Sequence, residues 1–131
     1  MKDILFEDFQ QVADEMLLRN KSLLDTLSKL QLAGAKLNRT VIKSVTHCGC
    51  ISIHGRKQNF KEGYSLEEMK KHVNAQVSGE LCGNCRELVE KEMGGLMFYL
   101  AAVCNTLRLS MYDVLIKERD ELLALGKFNL K

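Results

Sequence analysis

Four of the five cysteines in this chain fall in two tight pairs. Cys48 and Cys50 form a C-x-C within "THCGCISIHG", and Cys82 and Cys85 form a C-x-x-C within "ELCGNCREL". Gly49 and Gly83 sit inside the pairs, where they let the backbone turn tightly and bring amides towards the sulfurs. Two such knuckles brought together offer one ion four thiolates at tetrahedral reach, with zinc–sulfur bonds of about 2.3 Å. Zinc is favoured over an iron–sulfur cluster because no further cysteine follows at cluster spacing. The pairs flank a loop region, so a metal here would be structural and would clamp that loop onto the rest of the chain. Cys104, inside "LAAVCNTL", reads instead as a small apolar packing residue. His47, His54 and His72 are the alternate ligands, but a loop histidine is more often solvated, and none is included in the set.

The rival for the thiols is redox exchange. "CGNC" at the head of a helix resembles the C-G-x-C of thioredoxin-like proteins, where the helix N-terminus lowers the first thiol's pKa. That motif works in a βαβ setting, and the sequence offers no strands to build one.

The second candidate chemistry is carboxylate. In "CRELVEKEMGGLMFYLAAVCNTL" the residues Leu88, Val89, Met93, Leu96, Leu100, Val103 and Leu107 recur at helical spacing and define an apolar face. Glu87 and Glu90 point away from it into solvent. Glu92 lies about 50° from the centre of that face. A carboxylate so placed needs a partner, a metal or a route to water at the rim.

The stretch "EMGGLMFYLAAVCNTLRLSMYDVLIKERDEL", residues 92–122, resembles the C-terminal half of the MazG-like all-α NTP pyrophosphohydrolases. In that family a helix carrying E-x-x-D leads into an apolar "LFYL"-like stretch, a short turn and a capped helix of the "LDLYDVL" type. The resemblance implies an all-α fold, a homodimer or higher oligomer, and a magnesium site made by the E-x-x-D helix and an E-E-x-x-E helix. There the metal and a water split the α–β phosphate bond of a nucleoside triphosphate. Hard Mg²⁺ needs several oxygen ligands for that work. Glu92 matches the family's Glu and is the candidate catalytic residue. Gly95 stands where the family's Asp belongs, and "LLDTLSKL" offers Asp25, Thr26 and Lys29 where the acidic helix is expected. The expectation is a divergent member that binds a nucleotide or acts as a regulatory module, with weak or absent hydrolysis. The alternative is an active enzyme whose missing carboxylates come from Glu7, Asp14 or Glu15.

The elements that must position these groups are helical. No proline interrupts the 131 residues, and apolar residues from Leu5 to Val41 step by three and four. One helix over that span would be about 60 Å long, so a break is expected near Arg19–Ser22, with Ser22 capping and Asp25 at the third position. One long helix lying along a partner subunit is the alternative. "HCGCISIHGRKQNFKEGY" is expected to be loop with at most one short strand. Ser65 and Glu68 have capping-box spacing, Tyr64 can staple onto Met69, and Gly79 is a plausible helix stop. The next helix runs from the second cysteine pair to about Leu107. Ser110 with Asp113 opens the last one, Leu109 and Val114 can staple it, and Gly126 ends it. The Gly94–Gly95 pair lowers helix propensity and is expected to mark a seam where another helix approaches closely.

The fold class is therefore an all-α bundle of four to five helices in a single domain, residues 1–131, with a Cys-rich loop region spanning 48–85. An apolar fraction of 46% and a charged fraction of 27% are ordinary for a globular chain. A net charge of +2 is too small to indicate nucleic acid or an anionic membrane as partner. The N-terminus carries acids where a signal peptide would be apolar, and the uncharged run after Glu92 is too short for a bilayer. A cytoplasmic location is expected, and there thiols stay reduced and available to metal.

Overall fold

The computed structural model describes residues 2–17, 22–58 and 62–126. Five α-helices appear in them: α1 Lys2–Met16, α2 Leu23–Lys43, α3 Leu66–His72, α4 Gly83–Leu107 and α5 Met111–Leu125. Two short strands, β1 Ile51–Ile53 and β2 Val77–Gly79, pair antiparallel with Ile51 opposite Gly79. The all-α bundle expected from the sequence is what forms. None of these helices is long and apolar enough to cross a membrane.

Local chemistry accounts for most of the boundaries. Ser65 accepts from the Glu68 backbone N–H at 3.2 Å, and Ser110 accepts from that of Asp113 at 3.2 Å. Each satisfies one of the orphan amides of a helix start. Ser22 stands at the N-cap of α2 but its side chain makes no cap hydrogen bond, so the expected capping box with Asp25 does not form. The first and second helices are separate, and the centre of the expected break lies outside the described residues. Tyr64 stacks on His72, ring centroids 4.8 Å apart.

The structure corrects the reading of the stretch after α3. That helix ends at His72, and Gly79 closes β2 rather than a helix. Its φ of +87° is one that glycine reaches freely, and a Cβ there would lie 2.6 Å from the Cys50 carbonyl oxygen. The residue is a close-approach glycine between strands. A left-handed turn favours glycine in either setting, which is why the sequence alone misplaced it.

The main packing is α2 against α4, with α1 lying on α4 and α5. The residues buried there are small: Ala13, Ala33, Ala101 and Ala102, with Val89 and the polar Thr26 and Ser44. Small side chains let helix axes approach closely, so the core is tight but thin. The apolar face expected on α4 is mis-centred. Val89 is buried, but Leu88, Met93, Leu100 and Leu107 are exposed while Ala101 and Ala102 take the interior. Among the described residues nothing comes within 4 Å of where a Cβ would stand at Gly94 or Gly95, apart from α4's own nearby backbone and the immediate chain neighbours. The glycine pair is therefore not a seam within the protomer.

One polar latch joins the first helix to the last two. Gln10 donates through Nε2 to Asn105 Oδ1 and to the Leu109 carbonyl, both at 3.0 Å. Its Oε1 accepts from the Met111 N–H at 2.7 Å, and Asn105 Nδ2 donates to the Gln10 carbonyl at 2.8 Å. A single amide thus serves the carbonyl end of α4 and the amide end of α5.

Candidate metal centre

The thiol site is built from the end of α2 outwards. Beyond Lys43 the helix widens into a π-type turn, Ser44–Cys48, closed by Gly49 at φ +80°, whose N–H donates to the Ser44 carbonyl at 2.9 Å. The left-handed Gly49 throws the chain back so that Cys48 and Cys50 project towards the same point. Ser44 anchors this turn from inside. It is buried, its hydroxyl donates to the Thr40 carbonyl at 3.2 Å, and its own carbonyl lies 3.8 Å from Cys50 Sγ. The strand pair then returns the chain through Gly79 to the second knuckle.

Cys82 is the N-cap of α4. Its sulfur accepts from the Cys85 N–H at 3.4 Å, the position a serine or aspartate oxygen usually takes. Cys85 lies one turn further in and is buried. Cys48 and Cys82 sulfurs are 3.8 Å apart. All four Sγ atoms of Cys48, Cys50, Cys82 and Cys85 lie within 4.8 Å of one another. A tetrahedron with metal–sulfur bonds of about 2.3 Å has sulfur–sulfur edges of about 3.8 Å. The cluster has the donor number, softness and spacing of a four-thiolate metal site.

The protonation balance fits shared ligation. Cys82 is held down to about 7, first by the backbone N–H of Cys85 and then by the Cys85 thiol. At Cys85 the Ser44 hydroxyl favours the thiolate, but the neighbouring thiols and burial outweigh it and push the group up to about 12. At Cys48 the Cys85 thiol favours the thiolate, yet Cys82 and the other neighbours leave it above its ordinary value. Negative charge is favoured at Cys82 on the helix N-terminus and disfavoured at Cys48 and Cys85, whose thiols give up their protons more readily once a cation binds. A hollow of about 300 Å³ beside the site carries Lys43 and His47 along with Thr40, Asn84 and Leu88. Together with the positive end of α4, the Lys43 ammonium suits a site whose thiolates outnumber the charge of a divalent ion.

The other candidates fall elsewhere. His54 Nε2 is 2.8 Å from Ser78 Oγ, His72 stacks on Tyr64, and His47 lines the neighbouring hollow; none joins the cluster. Cys104 is half-buried on α4, and burial pushes its thiol up.

Glu92 faces a cleft of about 320 Å³ between α2 and α4, lined also by Lys29, Leu32, Ala33, Lys36, Lys91, Gly95 and Tyr99. Glu7 and Asp14 line a different hollow, with Gln10, Asn105 and Arg108 at the α4–α5 corner. Among the described residues no group of three carboxylates gathers around Glu92. Lys29 was legible in the sequence as a residue hostile to Mg²⁺. Lys36 and Lys91 were missed, because only the pairing of two distant helices brings them to the same cleft. Compared with family models, with curated proteins and with solved structures, the chain shows no match.

Proposed function

We propose that this chain is a divergent MazG-like helical protein of the cytoplasm in which Cys48, Cys50, Cys82 and Cys85 hold one structural zinc ion. The observation that carries the zinc reading is the mutual approach of four thiols within 4.8 Å. When bound, zinc supplies no chemistry of its own here, since four protein ligands leave no open position for water. Its work is to tie the π-type turn, the strand pair and the N-terminus of α4 into one unit. A dithiol exchanger is the weaker reading, because four thiols rather than two share the site.

The proposed activity of the α2–α4 cleft is binding of a nucleotide or regulation through one, with little or no pyrophosphohydrolase turnover. Three lysines line the cleft with a single carboxylate, Glu92. Ammonium groups attract phosphate oxygens and repel Mg²⁺, and one carboxylate leaves the ion mostly hydrated and unable to orient substrate and water. Magnesium-dependent hydrolysis is the alternative.

Elemental analysis of the purified chain tests the first part: about one zinc per chain is expected, and metal-free protein with four titratable thiols would refute it. Pyrophosphate release across a nucleotide panel tests the second, comparing wild type with Glu92→Gln. Turnover below about 1 s⁻¹ is expected, the low end of ordinary enzymes. Faster turnover that vanished in Glu92→Gln would establish the hydrolytic alternative.

A further inference from the structure

The four clustered thiols are not equally open. Cys48 is exposed, Cys50 and Cys82 are half-buried, and Cys85 is buried. The exposed sulfur belongs to the turn after α2 and borders the hollow of about 300 Å³ that Lys43, His47 and Asn84 also line. A water molecule takes about 30 Å³, so a small oxidant reaches this sulfur from solvent without any movement of the helices. Thiol oxidation is site-selective, and exposure is one of the features that selects.

The exposed sulfur also has a partner on the other knuckle. Cys48 Sγ lies 3.8 Å from Cys82 Sγ, against about 2.05 Å for bonded sulfurs. Both residues sit where regular backbone gives way. Cys48 ends the π-type turn beside left-handed Gly49, and Cys82 is the extended N-cap of α4. Side-chain rotation and small shifts of these turns bring the two sulfurs together. Cys85, buried within the helix, has neither the exposure nor the freedom.

We propose that Cys48 and Cys82 are a peroxide-oxidisable pair whose disulfide expels the metal, an inference that rests on the zinc reading of the four thiols. The Cys48 sulfur attacks one oxygen of hydrogen peroxide. An S–O bond forms, the O–O bond breaks, and the second oxygen leaves as hydroxide, which a solvent proton converts to water. The Cys82 sulfur then attacks the Cys48 sulfur. An S–S bond forms, the S–O bond breaks, and the hydroxide released takes a second solvent proton. The two sulfurs lose two electrons and the two peroxide oxygens gain them.

Zinc is then left with Cys50 and Cys85, half of its four ligands, and leaves the site. The new bond replaces the tie that the ion supplied between the end of α2 and the start of α4, so the bundle outlasts the metal. A dithiol reductant frees both sulfurs again and lets zinc return. Metal occupancy thus follows peroxide reversibly. A dithiol exchanger differs in that its electrons pass to other proteins' disulfides.

The test treats the zinc-loaded full chain with hydrogen peroxide, follows the freed ion with a chromogenic chelator, and maps disulfides by mass spectrometry. About one zinc should leave per peroxide consumed. Trypsin should yield peptides 44–56 and 72–86 joined through Cys48 and Cys82, with Cys50 and Cys85 open to alkylation. A dithiol reductant with added zinc should restore the metal, and Cys104→Ser should behave as wild type. Cys48→His keeps a zinc donor in place of the oxidisable sulfur and should slow release about tenfold or more. Zinc retained against about ten equivalents of peroxide would overturn the inference and leave the zinc reading standing. Release with the disulfide at Cys82–Cys85, or with sulfinic acid in place of a disulfide, would overturn the assigned pair. A chain free of zinc before any peroxide is added would overturn the zinc reading itself, and this inference with it.

Discussion

At the end of the α2–α4 pair four soft sulfur ligands converge; halfway along the same two helices one hard oxygen ligand lines a cleft with three lysines. Both places lie between the same elements, so helix packing alone does not decide what a site can bind. The difference lies in how the ligands are carried. Three of the thiols come from a turn and a helix cap whose backbone is set locally by Gly49, Ser44 and Gly79, and only Cys85 lies within a helix. The cleft draws its groups from regular helix faces, where whatever residue type falls at the right angle enters the site. A turn-built site is closed by few residues and is broken by changing one. A helix-built site drifts in charge by single substitutions while its shape survives.

The largest effect should come from removing one thiol. With zinc bound at a thousandfold its dissociation constant, the ion contributes about 4 kcal/mol to stability. Cys82→Ser should therefore lower Tm by roughly 12–20 °C for a chain of this size and release the metal, followed by calorimetry and elemental analysis. Acid should act in the same direction. Protons compete with zinc for the four thiolates, so metal-dependent stability is present at neutral pH and lost progressively as pH falls.

Next is the backbone that aims Cys50. Gly79→Ala forces a side chain into a positive φ and against the Cys50 carbonyl, at a cost of about 1–3 kcal/mol. Chemical denaturation should register it, along with weaker zinc retention. Unchanged stability would mean that the turn does not hold the cysteine in place.

The cleft should respond to charge without a change in fold. Gly95→Asp combined with Lys29→Glu adds two carboxylates and removes one ammonium. It should raise Mn²⁺ affinity about tenfold, or about 1.4 kcal/mol, read by paramagnetic resonance of the free ion. If affinity does not move, the shape of the cleft and not its charge is what excludes the metal.

The smallest expected change is a gain. Gly94 is exposed on α4 with open space around it, so Gly94→Ala should stabilise the helix by about 1 kcal/mol. A loss of stability there would show that something outside the protomer approaches Gly94.

Features encoded within a few residues were legible in the sequence. Ser65 and Ser110 cap as their spacing implies, and the cysteine pairs meet as their doublets suggest. Long-range placement was less legible. The apolar face of α4 was mis-centred because "GGLMFYLAAVCNTL" has no charged residue to give the helical period contrast. "QVSGEL" is too short for period-two alternation to announce a strand, so β2 went unseen and its glycine passed for a helix stop. The acids offered as replacements, Glu7 and Asp14, look equivalent to any others on paper. Only the docking of α1 at the far corner separates them from Glu92.

That docking has a consequence in time. Gln10 closes its hydrogen bonds with Asn105, Leu109 and Met111, groups made about a hundred residues later. A 15-residue helix is marginal in water by itself. During synthesis at roughly 5–20 residues per second, α1 leaves the ribosome before these partners and waits several seconds for its seat. The thiol site, with partners only 34 residues apart at Cys48 and Cys82, can assemble well before then. The earliest of these five helices is thus among the last to be placed, and until then its apolar side is open to whatever else is nearby.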